Sequence, residues 1–192
     1  MREKPFEIVR LEQGTAVWRA WRHQGIGASD APAIMGENPY QSLEALLREK
    51  MGEVRRGGAS EAMARGNALE PIARDLYISR MGVEVQPICL QSTRFEWLRA
   101  SLDGLSEQHD VVVEIKCGHA AYRIARDSGA VPKYYVGQLQ HILAVTGLAS
   151  IDFWCYSPEH EPILIPVARD EAYIARMLDL EFGFWERVRS MG

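Results

Sequence analysis

The sequence has few of the features that mark a membrane-bound or disulfide-stapled protein. It contains three cysteines, Cys89, Cys117 and Cys155, and no CxxC pair, which argues against a disulfide framework and a Cys-ligated zinc or iron–sulfur site. No apolar run approaches the ~20 residues of a membrane span. The first ten residues, MREKPFEIVR, lack the apolar region of a secretory signal. These absences predict a soluble, intracellular protein.

The sequence also lacks an excess of positive charge. Lys and Arg number 22 against 26 Asp and Glu, for a formal net charge of −4. This balance argues against a histone-like coat on nucleic acid, but it is compatible with a local cationic groove. With 47% hydrophobic and 25% charged residues, and without repeats or long linkers, residues 1–192 are predicted to form a single domain.

The periodicity of apolar residues predicts an α/β fold. Residues 60–81 have a helical pattern that Pro71 should kink or restart. The later segments predict three strands, a helix, two more strands and a final helix, over residues 83–91, 94–102, 111–117, 131–146, 150–156, 162–168 and from about 170. This order predicts a mixed β-sheet flanked by helices.

The predicted strand over residues 111–117 carries the first candidate site. Because side chains alternate along a strand, Glu114 and Lys116 share one face, opposite an apolar face. A hairpin centred between residues 108 and 109 would place Asp103 directly opposite Glu114, with Cβ atoms about 4.5–5.5 Å apart. The sequence therefore predicts two carboxylates and an ammonium group close together.

Two carboxylates at this distance repel each other unless a proton or cation lies between them, and a hard divalent ion is a natural occupant. Lys116 could then hold or deprotonate an attacking water and offset the charge of a phosphate, which is the chemistry of metal-dependent phosphodiester hydrolysis. The strand pattern alone leaves an alternative open, in which Glu114 and Lys116 form a solvated surface pair.

A second candidate site lies near the N-terminus. Ser29 and Asp30 are N-cap residue types, Pro32 suits a first helical turn, and Gly36 could end a short helix. A helix N-terminus attracts phosphate, and Arg22 could add a bidentate contact. In the alternative interpretation, Ser29 only caps the helix and Arg22 pairs with a surface acid.

From about Trp18 to Pro158, the sequence resembles the λ-exonuclease/YqaJ-like viral recombinase family of PD-(D/E)xK nucleases. The resemblance rests on motifs in the family's order, WRAWRHQGIGASDAPAIMG, RGNALEPIARDLY, RASLDGL, VEIKC and YYVGQLQHILAVTG. Leu102 stands where the nominal motif has proline. The resemblance implies a restriction-endonuclease-like fold.

The resemblance also implies roles for individual residues. Asp103 and Glu114 would ligate the catalytic metals together with the backbone carbonyl of Ile115. Lys116 would position the water, Glu70 would add an acidic group, and Gln138 would order the water or the metal shell. The pocket for a terminal 5′-phosphate would be lined by Arg22 and Ser29.

The implied function is a Mg²⁺-dependent exonuclease, with Mn²⁺ as a possible substitute, that digests one strand of linear double-stranded DNA from its 5′ end. The remaining 3′ strand would enter phage-type recombination through a single-strand annealing protein. The resemblance further implies a homotrimeric ring around DNA, encoded by a phage or prophage and acting in the bacterial cytoplasm. Two alternatives stay open: a PD-(D/E)xK endonuclease of restriction or repair type, and a non-catalytic DNA-end-binding module.

Overall fold

The computed structural model describes residues 4–53 and 61–191, without the side chain of residue 62. Within these ranges the chain forms a central sheet with helices around it. The strands are β1 (Phe6–Val9), β2 (Ile26–Gly27), β3 (Val85–Ser92), β4 (Leu98–Ser106), β5 (Val112–Lys116), β6 (Ser150–Ser157) and β7 (His160–Ala168). The helices are α1 (Ala16–His23), α2 (Ala31–Ile34), α3 (Leu43–Lys50), α4 (Glu61–Met81), α5 (His119–Ser128), α6 (Lys133–Thr146) and α7 (Glu171–Met191), with a 3₁₀ turn over Ala28–Asp30.

The sheet is mixed, as the sequence predicts. Its strand order is β1-β3-β4-β5-β6-β7, and β2 pairs with β4 alongside this path. β5 and β6 run parallel, because α5 and α6 cross between them, and the other neighbours on the main path are antiparallel. The predicted α/β class, a mixed sheet flanked by helices in one compact domain, is confirmed.

Helices cover both faces of β5 and give each face its own apolar cluster. Val113 and Ile115 pack with Ala73 and Tyr77 of α4, whereas Val112 belongs to the larger cluster that includes the buried side of α6. The Tyr77 hydroxyl donates to Asp152 at 2.6 Å, which ties α4 to β6. β5 is therefore held between α4 and α6, the helices that carry the predicted site residues Glu70 and Gln138.

A buried polar contact fixes α6 against its neighbours. His141 is fully buried, and its Nδ1 lies 2.7 Å from Oε1 of Glu181 on α7. Its Nε2 lies 2.9 Å from the carbonyl oxygen of Arg99 on β4. One imidazole thus joins α6, β4 and α7 one helical turn beyond Gln138.

The structure corrects several local predictions. Pro71 does not restart the helix, because α4 continues through it; the carbonyl that loses its helical donor belongs to exposed Asn67, where water can replace the bond. Helices α1 and α5 and strands β1 and β2 are not among the predicted elements. Ser29 does not cap α2, because it lies within the 3₁₀ turn and Asp30 occupies the N-cap position of α2. No helix among residues 4–53 and 61–191 is long and apolar enough to cross a membrane.

Candidate active site

The pairing of β4 with β5 brings the two predicted carboxylates together. Gly104 pairs with Val113 and Leu105 with Val112, and the next step of this register places Asp103 opposite Glu114. This is the hairpin register that the sequence predicts. The two acidic residues therefore lie at neighbouring positions on adjacent strands.

The regular backbone pairing of β4 with β5 ends next to Asp103. There the carboxylate of Asp103 replaces a backbone carbonyl as the hydrogen-bond acceptor. The N–H of Ile115 donates to Oδ2 of Asp103 at 2.8 Å, while the carbonyl of Leu102 accepts from Nε2 of Gln13 at 2.9 Å. On the other edge of β4, Asp103 and Gly104 together oppose the single residue Pro87. This is a β-bulge, a feature that redirects side chains next to functional sites and tolerates proline.

Glu114 is the most deeply buried acid of the site, at 2% exposure. Its Oε1 accepts from Nζ of Lys116 at 2.5 Å and from Nε2 of Gln138 at 2.6 Å. The Lys116 ammonium also lies 4.8 Å from the centre of the Tyr135 ring, a cation–π distance. The alternative of a solvated surface pair is wrong, because the acid lies inside the protein.

Glu70 lies on α4 and pairs with Arg74 one turn further along the helix. The Nε of Arg74 also donates to the backbone carbonyl of Asp103 at 2.7 Å. Glu70 thus reaches the same site as the strand carboxylates, with Arg74 as its counter-ion.

Burial and mutual repulsion alter the proton affinities of these groups. Burial, followed by repulsion from Asp103, raises the pKa of Glu114 to about 7. Burial also raises the pKa of Asp103 and, together with the charge of Asp103, the pKa of Glu70. Burial alone would lower the pKa of Lys116, but the carboxylates of Glu114 and Asp103 outweigh it and raise that pKa. The site concentrates negative charge that a cation would neutralise.

The donor set fits a hard divalent cation. Oε2 of Glu114 is buried and has no hydrogen-bond partner among the described residues, and such an atom is costly unless a ligand satisfies it. Among those same residues, no group of three His, Cys, Asp or Glu side chains is close enough together to form a metal site by itself. Glu70, the third acid of the cavity, is paired with Arg74. Two carboxylates and a backbone carbonyl suit Mg²⁺, which keeps several waters and needs few protein ligands.

Arg22 and Ser29 form a second polar pair. Nη2 of Arg22 donates to Oγ of Ser29 at 2.6 Å, and its guanidinium lies 4.7 Å from the centre of the Trp18 ring. Asp30 closes the 3₁₀ turn instead of Ser29, accepting from the Gly27 N–H at 3.0 Å. The structure thus brings Arg22 and Ser29 together, although not at the N-terminus of a regular helix.

All the predicted site residues line one cavity of about 360 Å³. The two candidate sites are therefore parts of a single site, lined by Arg22, Ser29, Glu70, Asp103, Glu114, Ile115, Lys116 and Gln138. Sequence reasoning missed Gln13, Trp18 and Tyr135, which line the same cavity, and Arg74 behind it. Glu70 and Arg74 are four residues apart, a spacing that predicts an ion pair on a helix, so Arg74 could have been found from the sequence. No comparable pattern in the sequence indicates Gln13.

Comparison with known families agrees with this geometry. The model of the YqaJ-like viral recombinase domain matches residues 17–149. The chain belongs to this family, so the resemblance seen in the sequence is confirmed.

Two curated proteins are similar in sequence to this chain. The chain is 27% identical to the YqaJ protein of Bacillus subtilis (strain 168), over 88% of this chain and 54% of that protein. It is 25% identical to protein D345L of African swine fever virus, over 70% of this chain and 46% of D345L. The chain thus spans about half the length of these curated relatives.

Among solved structures, an alkaline exonuclease from Laribacter hongkongensis, LHK-Exo, superimposes with a TM-score of 0.80. The two proteins share 25% sequence identity, and the match covers 92% of this chain and 94% of that one. A phage-related exonuclease from Haemophilus somnus 129PT shares the fold at 13% identity, with a TM-score of 0.58 over 88% of this chain and 96% of that one.

Proposed function

We propose that this protein is a metal-dependent nuclease and, more specifically, a 5′-to-3′ exonuclease that digests one strand of linear double-stranded DNA. The observation that carries the proposal is a single cavity holding Asp103, Glu114 and Lys116 beside the Arg22–Ser29 pair. Membership of the viral recombinase family and the likeness to LHK-Exo support a nuclease.

The acidic half of the cavity would hold the metal and the reacting phosphate. Asp103, Glu114 and the carbonyl of Ile115 would ligate Mg²⁺ or Mn²⁺. When bound, such a cation polarises a phosphoryl oxygen and activates water. Lys116 would hold the attacking water and donate to the phosphate, and Gln138 would keep Glu114 oriented through its 2.6 Å hydrogen bond. Glu70 would add a further acidic group from α4.

The basic half would select the end of the strand. A terminal 5′-phosphate carries more charge than an internal diester, and an arginine fork with a hydroxyl can recognise it through charge-assisted hydrogen bonds. Each cleavage exposes a new 5′-phosphate, so the Arg22–Ser29 pair would engage the shortened strand again. This repeated binding would give the reaction its direction.

The proposal extends to assembly and partners. A homotrimeric ring around the duplex and a single-strand annealing protein that receives the 3′ strand follow from the family resemblance, as does action in the cytoplasm of a bacterium that carries the phage or prophage. The sedimentation behaviour of the purified protein tests the ring, and co-purification from a phage-infected host tests the partner.

Conservative variants of the two strand carboxylates test the nuclease proposal. Asp103→Asn and Glu114→Gln should abolish Mg²⁺-dependent release of nucleotides from an end-labelled duplex, while circular dichroism shows a folded protein. The matched control is Glu161→Gln, which changes an exposed acid outside the cavity and should leave the rate unchanged. Substantial Mg²⁺-dependent hydrolysis by either site variant would reject the proposal.

A further inference from the structure

Arg74 connects two acidic residues of the site through one guanidinium group. Its Nε donates to the backbone carbonyl of Asp103 at 2.7 Å, and its Nη2 pairs with the carboxylate of Glu70. The Arg74 side chain is 13% exposed and that of Glu70 is 29% exposed, so the guanidinium lies largely inside the protein while its carboxylate partner reaches toward the cavity. This single side chain therefore joins the middle of α4 to the bulge of β4.

The backbone around Asp103 needs such a contact. The pairing of β4 with β5 reaches Gly104 and Val113. Beyond this pair, the N–H of Ile115 donates to the side chain of Asp103 and not to a backbone carbonyl. On the other edge β3 presents Pro87, which has no N–H to donate. Arg74 thus supplies a donor to a carbonyl at a point where the sheet offers few.

The geometry points to Arg74 as a positioning residue: we propose that it fixes the Asp103 backbone and the Glu70 carboxylate at once, and so sets the arrangement of acidic groups that receives the divalent cation. This inference rests on the proposed function for its metal. A planar guanidinium serves two separated acceptors from different nitrogens in fixed directions, whereas a lysine offers all its donors from one nitrogen on a flexible stem and does not fix two such acceptors relative to each other. Arg74 acts through Asp103 and Glu70 and need not touch the DNA.

Arg74→Lys tests the inference because it keeps the positive charge and removes only the planar guanidinium, whose separate nitrogens make the two contacts. Mn²⁺ binding to the DNA-free protein, measured by calorimetry and by the Mn²⁺-induced rise in Tm, should weaken roughly tenfold or more, as for other residues that orient metal ligands. The Mg²⁺ concentration for half-maximal hydrolysis should rise by a similar factor, while kcat at saturating Mg²⁺ largely recovers.

The matched control is Arg80→Lys. Arg80 lies on the same helix and also forms an ion pair, with Glu161, but it lies outside the cavity. It should leave Mn²⁺ binding unchanged. Arg74→Ala provides a second variant: added methylguanidinium should restore much of its Mn²⁺ affinity, which a general loss of folding would not allow.

Wild-type Mn²⁺ affinity in Arg74→Lys, or an equal loss in Arg80→Lys, would overturn the inference. A wild-type protein that binds Mn²⁺ without cleaving DNA would instead reject the proposed function, and the Mn²⁺ titrations of the Arg74 variants would still decide the role of Arg74.

Discussion

The backbone N–H of Ile115 donates a 2.8 Å hydrogen bond to Oδ2 of Asp103. The carboxylate thereby takes part in joining β5 to β4, next to the last registered pair of their ladder. One of its oxygens is committed to the fold, which fixes the orientation of the group toward the cavity. Asp103 thus helps to hold the two strands together and is also a candidate metal ligand. Substitutions of the residues around it can therefore test the site without removing this contact.

Lys116 is predicted to act in catalysis and to contribute little to DNA binding. Lys116→Ala should lower the rate of cleavage on the order of 10²-fold or more, because it removes a donor to the water and the phosphate. DNA affinity, measured by fluorescence anisotropy in Ca²⁺, should fall only slightly. A parallel fall in affinity and rate would make Lys116 a phosphate contact only.

Gln138 is predicted to orient Glu114 through the hydrogen bond to Oε1. Gln138→Ala should weaken activity or metal affinity about 10- to 100-fold, as expected when a metal ligand loses its supporting partner. The control is Gln140→Ala on the same helix. Gln140 bonds the backbone of Ala168 and Asp170 instead, so its loss should lower Tm and spare Mg²⁺ dependence. Equal metal dependence in Gln138→Ala and the wild type would remove Gln138 from the site.

The buried His141–Glu181 pair predicts a pH-dependent stability. Burial alone would lower the pKa of His141, but Glu181 and the Arg99 carbonyl outweigh it and raise that pKa above 6.5. Both ring nitrogens face acceptors, so the doubly protonated ring satisfies both. Because the folded-state pKa is raised, the stabilisation is fully present below pH 6.5 and is lost as the pH rises through the folded-state value.

Urea unfolding across the pH range from 5.5 to 9 measures this effect. The wild-type free energy of unfolding should fall as the pH rises within this range. His141→Gln should cost about 3–5 kcal/mol at pH 6, since it leaves a buried carboxylate without its charged partner, and its pH dependence should be flatter. Parallel pH profiles for the two proteins would show that His141 does not titrate with folding.

The strand-to-strand geometry of the site was predictable because it depends on local pattern. Alternation along residues 111–117 and a turn between 108 and 109 are enough to place Asp103 opposite Glu114. The burial of Glu114 was not predictable in the same way. It depends on α6, which covers this face of β5 and supplies Gln138 from a distant part of the chain.

The other misses depend on surroundings that a local pattern does not contain, which are solvent near Pro71 and tertiary contacts at Gln13 and Arg74. Pro71 stays within α4 because its missing bond lies at an exposed turn. Gln13 and Arg74 satisfy backbone carbonyls of β4 that a regular ladder would have used. No periodicity marks residues that compensate for an irregular strand, so such partners emerge only from the folded structure.

The central claim is that the cavity cleaves a DNA strand from its 5′-phosphorylated end. Its most direct test is the initial rate in Mg²⁺ on linear duplexes that differ only in 5′-phosphate or 5′-hydroxyl, beside a covalently closed circle. The account predicts faster digestion of the phosphorylated duplex, an intact circle, and loss of most of the end preference in Arg22→Ala. Equal wild-type rates on both linear duplexes, or cleavage of the closed circle, would contradict it and favour the endonuclease alternative.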